Sequence, residues 1–174
     1  MLRRGTFALE PIEALPRMAE RISRLAERFG ALHAQAAAGG LKHWAADAQG
    51  TLALLILLDQ FSRNLFRGSP KAFAQDEAAL LTARSAVNAG FDRQVEPQFR
   101  QFFYTPFMHS EGILDQERCV ALCHSLPDPG NLPFARDHER IIRRFGRFPH
   151  RNAALGRHTT PAEQAFLESG GFAG

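Results

Sequence analysis

The chemistry-bearing side chains are densest in Asp59-Gln-Phe-Ser-Arg-Asn-Leu-Phe-Arg67. On a helix Asp59, Arg63 and Arg67 recur at i, i+4 and i+8, so they share one face and can form an ion ladder beside Gln60 and Asn64. Arginine's planar fork suits carboxylates and phosphates. A second cluster, Tyr104-Thr-Pro-Phe-Met-His-Ser-Glu111, places His109 and Glu111 at a helix start, with Asp115 and Gln116 one turn on. A third, Arg143-Arg-Phe-Gly-Arg-Phe-Pro-His-Arg-Asn152, anchors Arg147, His150, Arg151 and Asn152 between aromatic residues. Three kinds of chemistry fit. In the leading one, Arg63, Arg67, Arg147 and Arg151 line a polar cleft that holds a small anionic ligand or an acidic peptide end. There Asp59 and Glu111 orient the arginines, and Asn64, His150 and Asn152 complete the site. In the second, the same cleft is catalytic, with His109 or His150 moving a proton and Glu111 or Asp115 as its partner. In the third, the polar residues only lock helices and loops in an interaction module. Convergence on one cleft separates the first two from the third, because charged groups buried without shared partners are costly.

Metal and nucleophile chemistry is less well supported. Cys119 and Cys123 are i, i+4 on a stripe with Leu122 and Leu126, which reads as core. His109, Glu111, Asp115, His138 and His150 include no His-x-x-x-His or Glu-x-x-His pair, and no glycine-rich phosphate loop or nucleophile elbow occurs. The expectation is no metal and no cofactor.

The elements that must position these groups are helices. Ile22, Leu25, Ala26, Phe29, Leu32 and His33 follow helical spacing in a segment that begins near Pro11 or Pro16 and runs to Ala38, where Gly39-Gly40 stops it. The next helix, about Leu52 to Phe66, is apolar on every side over Leu52 to Leu58 and is therefore buried, yet it carries the Asp59–Arg67 polar face. Ser69-Pro70 opens a helix to about Asn88. Pro97 permits a short one through Phe103, and Pro106 interrupts the chain. Further helices are predicted over 110–126 and 133–145, and Thr160-Pro-Ala-Glu163 is a capping box opening the last. No segment alternates with period two for long. The expected fold is all-α, a single-domain antiparallel helical array over residues 1–174.

Composition agrees with that fold and says less about function. The chain has 174 residues, a formal charge of +3, and Lys42 and Lys71 as its lysines. Arginine-dominated charge fits an anionic partner, but it also fits codon bias in a GC-rich genome, given the many Ala and Gly residues. No dense basic tract suggests nucleic acid, and no apolar run approaches the ~18 residues of a membrane span. With two cysteines and no leader-like start, the expected location is cytoplasmic. Oligomeric state is not specified.

Three stretches, Leu57–Arg67, Tyr104–Glu111 and Phe145–Arg157, make the chain resemble the bacterial domain-of-unknown-function family nine hundred and twenty-four over about residues 21–167. The resemblance implies a helical fold akin to tetratricopeptide-repeat arrays and no particular activity. The positions matching its pattern are Asp59, Arg63, Asn64, Arg67, Asp76, His109, Glu111, Asp115, His138, Arg147, His150, Arg151 and Asn152. Ser62, where the family usually has proline, departs from it, as do Met108 and Gly112.

Overall fold

The computed structural model describes residues 15–128 and 130–172, so a helix start near Pro11 lies outside the described residues. The fold is all-α, with no strand among the described residues. Helix α1 spans Leu15–Ala37 and stops at Gly39 in the left-handed conformation (φ 79°). A short 3-10 turn, Lys42–Ala46, leads to Asp47, whose side chain accepts the Gly50 N–H at 2.8 Å and caps α2 (Ala48–Leu55). Gly50 is required there: a Cβ would lie 2.3 Å from the Trp44 carbonyl oxygen.

From α2 the chain continues without a break through a π-helical turn, Ile56–Phe61, into α3 (Ser62–Leu65). The apolar run of this continuous element is buried at Leu52, Leu54, Leu55, Leu57 and Leu58. His33 on α1 fixes its far side. Ser62 Oγ donates to the Leu58 carbonyl at 2.6 Å, so its contact with His33 Nε2 (2.9 Å) is a bond that the imidazole donates.

The chain then forms α4 (Asp76–Asn88), α5 (Gln101–Met108), α6 (Ile113–His124), α7 (Leu132–Phe145) and α8 (Pro161–Glu168). The helix anticipated from Ser69-Pro70 is divided. A 3-10 turn, Pro70–Phe73, precedes α4, and the division gives Asp76 the first turn of its own helix. Pro106 does not interrupt the chain, for it sits inside α5. The carbonyl of Phe102, which a residue with an N–H at position 106 would bond, accepts from Thr105 Oγ1 at 3.3 Å instead. Helix α6 starts later than expected because Ser110 Oγ donates to Asp115 Oδ2 (2.7 Å) and accepts the Gly112 N–H (3.1 Å), holding 110–112 as a loop.

Leu55, Phe103, Phe107, Cys119 and Cys123 form the centre of the main core between α2, α4, α5, α6 and α7. Each such apolar side chain contributes roughly 1.5–3 kcal/mol when removed from water. The two cysteines are free thiols 3.9 Å apart, and Cys119 donates to the Tyr104 carbonyl. A second cluster packs α1 on the π turn, and a third joins α7 to the loop at Phe148. Among the described residues no helix is long and apolar enough to cross a membrane.

Candidate functional site

The π turn brings Asp59 against the end of α5. Asp59 is 1% exposed, and its Oδ1 accepts from His109 Nδ1 at 2.6 Å and from Arg63 Nη1 at 2.9 Å. Gln60 Nε2 donates to its other oxygen at 2.7 Å. Burial alone would raise the Asp59 carboxyl, but His109 and Arg63 overcome this and hold it far below the usual range, so it is ionised. Burial lowers His109 despite the pull of Asp59. The pair is therefore a carboxylate and a neutral imidazole.

Arg63 reaches past Asp59 to Asp76 in the first turn of α4, a place that favours negative charge, and forms a two-pronged bond at 2.8 and 3.0 Å. Arg151, from the 3-10 turn Pro149–Arg151, meets the same carboxylate at 3.2 Å and donates to the His109 carbonyl at 2.9 Å. Its guanidinium lies 4.7 Å from the centre of the Phe73 ring and 4.6 Å from that of Phe148. Burial pushes its pKa down to about 10, which still leaves it charged.

These groups border a cavity of about 390 Å³ lined by Arg63, Arg67, Phe73, His109, His138, His150, Arg151 and Phe172, with small residues between them. His138 donates from Nδ1 to the Phe134 carbonyl at 2.8 Å, and burial lowers its pKa to about 4. His150 is lowered to about 3, first by burial and then by Arg151, and its Nδ1 is sealed from solvent without a partner. Phe172 packs against both rings, tilted on His138 at 4.5 Å and edge-on to His150 at 5.0 Å. Arg67, exposed at the rim, has no ion-pair or hydrogen-bond partner among the described residues. The ladder anticipated along the helix therefore has its Asp59–Arg63 rung and lacks the Arg67 rung. Leu65 ends the helix, and Phe66, at φ −121°, turns Arg67 off the shared face.

Other expected site residues lie elsewhere. Arg147 does not border the cavity: it binds Glu163 at 2.6 and 2.8 Å and the His158 carbonyl at 2.7 Å. Glu163 also accepts the Thr160 N–H in the expected capping box, and with Arg147 as the main cause its pKa falls to about 2. Asn152 is buried beside it and reaches Glu163 and Thr159 at 3.3 Å each. Glu111 does not orient a cavity arginine or partner a histidine. It takes Arg157 at 2.8 and 3.1 Å and the Phe148 N–H at 2.8 Å, and against burial these hold it below the ordinary range. Asp115 is paired with Arg84 at 2.6 Å, and Asn64 donates back to the Gln60 carbonyl at 2.8 Å. The histidine partner is thus Asp59, not Glu111 or Asp115. Asp76, Phe73 and Phe172 join the site without having been assigned a role, and His138, weighed above only as a metal ligand, lines it as well. The available signals were an acidic residue in a helix's first turn for Asp76 and the family pattern for Asp76 and His138. Among the described residues, no three His, Cys, Asp or Glu side chains are grouped to hold a metal ion.

The fold and site define an all-α protein with an arginine- and imidazole-lined cavity at the junction of its helices. Residues 17–171 match the family described as "Bacterial protein of unknown function (DUF924)", and the chain belongs to that family. It is similar to a solved structure, the protein of unknown function ATU0120 from Agrobacterium tumefaciens. The two are 42% identical with a TM-score of 0.83, over 87% of this chain and 85% of that one. No curated protein matches.

Proposed function

We propose that the protein binds a small anionic molecule in the cavity, with Arg67 as the direct cation and Arg63 and Arg151 arranged behind it. The observation that carries this reading is the charge arrangement. Asp59 and Asp76 balance Arg63 and Arg151, while Arg67, unpaired among the described residues, stands at the mouth beside three imidazoles. An anion entering there meets one uncompensated charge and a guanidinium framework already fixed by its carboxylates, so little ordering cost accompanies binding. Because Arg67 has no ion-pair or hydrogen-bond partner among the described residues, its removal separates binding from folding. Isothermal titration calorimetry with inorganic phosphate at matched ionic strength is expected to show binding to the wild type. Arg67→Ala should bind at least tenfold more weakly while melting at an unchanged temperature. Equal affinities, or no binding to the wild type, would contradict the proposal.

A further inference from the structure

The cavity contains two hydrogen-bond acceptors whose identity is fixed from behind. The Asp59 carboxylate can only accept, so the 2.6 Å contact to His109 places a hydrogen on His109 Nδ1. The Phe134 carbonyl can only accept, so the 2.8 Å contact places a hydrogen on His138 Nδ1. A neutral imidazole carries one N–H, and both rings are held neutral by burial. Each Nε2 is then a bare lone pair. Neither Nε2 has a partner among the described residues, and neither is among the sealed polar atoms of the protein, so both are open to the cavity they line.

An anion offers only acceptors unless it carries its own proton. Placed between Arg67 and two imidazole lone pairs, an aprotic anion satisfies the cation and opposes the lone pairs. An anion with an adjacent hydroxyl, ammonium or acidic O–H satisfies both, and leaving such an acceptor unmatched is costly in a partly enclosed site. We infer that the cavity selects proton-donating anions, such as hydroxy or amino carboxylates or a singly protonated phosphoryl group, over aprotic ones. In this arrangement His109 Nε2 and His138 Nε2 accept the ligand's donor while its negative group faces Arg67. Arg63 and Arg151 face the same space and are compensated from behind by Asp59 and Asp76, and His150 adds a third ring to its lining. The inference rests on the anion-binding reading above and specifies the ligand class for it.

Two matched pairs of small anions test it. Monohydrogen phosphate differs from sulfate by one O–H, and glycolate differs from propionate by a hydroxyl in place of a methyl group. Calorimetric titrations at pH 7.5 and fixed ionic strength are expected to give a dissociation constant about tenfold lower for the donor-bearing member of at least one pair. The pair that discriminates tells phosphoryl from carboxylate ligands. His109→Gln, whose amide can present N–H to the cavity, should bring that ratio close to one. Long-range 15N correlation spectra of the wild type should show the Nδ1–H tautomer for both rings, and this readout does not depend on the variant folding. Binding without discrimination, or an Nε2–H tautomer at both rings, would overturn the inference and leave the anion-binding reading standing. Binding of none of the four anions would overturn that reading and the inference with it.

Discussion

The cavity cluster and the C-terminal clasp are built from the same materials and end in opposite states. In the clasp Arg147 is matched by Glu163 and the His158 carbonyl, and Arg157 by Glu111 and the Phe148 carbonyl. Its charged groups face one another and fasten the 147–160 segment to the start of α8 through Glu163 and to the loop before α6 through Glu111. In the cavity the two inner arginines share Asp59 and Asp76, but one guanidinium and the open nitrogens of two imidazoles have no partner among the described residues. Arginine count does not distinguish a site from a fastening. The distinction lies in whether each guanidinium already faces a carboxylate.

The largest effect that sharpens this contrast is expected at Asp59. Asp59→Ala strips a buried carboxylate from Arg63 and His109 and should cost about 4 kcal/mol in chemical denaturation. A loss below about 1 kcal/mol would mean that the buried cluster does not hold the π turn to α5. Arg147→Ala should lower the melting temperature, because Glu163 would keep its Thr160 cap and lose its cation, while phosphate affinity stays as in the wild type. A change in affinity greater than twofold would place Arg147 functionally with the cavity and dissolve the contrast.

A smaller effect concerns pH. His138 and His150 have folded pKa values of about 4 and about 3, below the ordinary 6.5 of an unfolded histidine. Between pH 6.5 and 4 the unfolded chain binds protons that the folded chain refuses, so stability falls as pH drops through that window. Each histidine contributes up to about 1.4 kcal/mol per pH unit. The stabilising carboxylates, Glu163 at about 2 and Asp59 lower still, begin to lose their contribution only near pH 4 and below. Urea melts across pH 4–7 should show the slope in the wild type and a shallower one in His150→Phe. An unchanged slope in that variant would show that His150 is not held neutral at the cavity.

The sequence carried the helix boundaries set by local chemistry. The Thr160–Glu163 box and the stop at Gly39 depend on neighbours a few residues away, and Gly39 has positive φ. The apolar run ending at Leu58 was readable as buried, and Asp59–Arg63 as an i, i+4 pair. Partnerships across the chain were not readable. Nothing in the spacing says that Glu111 will meet Arg157, Asp115 Arg84, or Arg147 Glu163, because tertiary packing chooses among many equally charged candidates. Asp76 is the clearest case: its place behind the cavity arginines follows from the division between Phe73 and α4, which Pro70 alone does not signal. The π turn was also invisible, since its residues are ordinary helix formers and the extra residue is absorbed by contacts with α1 and α5.

The most direct test of the anion-binding cavity is a phosphate titration followed by 1H–15N spectra of the assigned protein. Saturable shifts are expected at residues 63–73, 109, 138 and 150–154, with Arg147, His158 and Glu163 unmoved. Shifts that do not saturate, or that centre on Arg147, Arg157, His158 and Glu163 instead, would contradict the assignment of the cavity as the binding site.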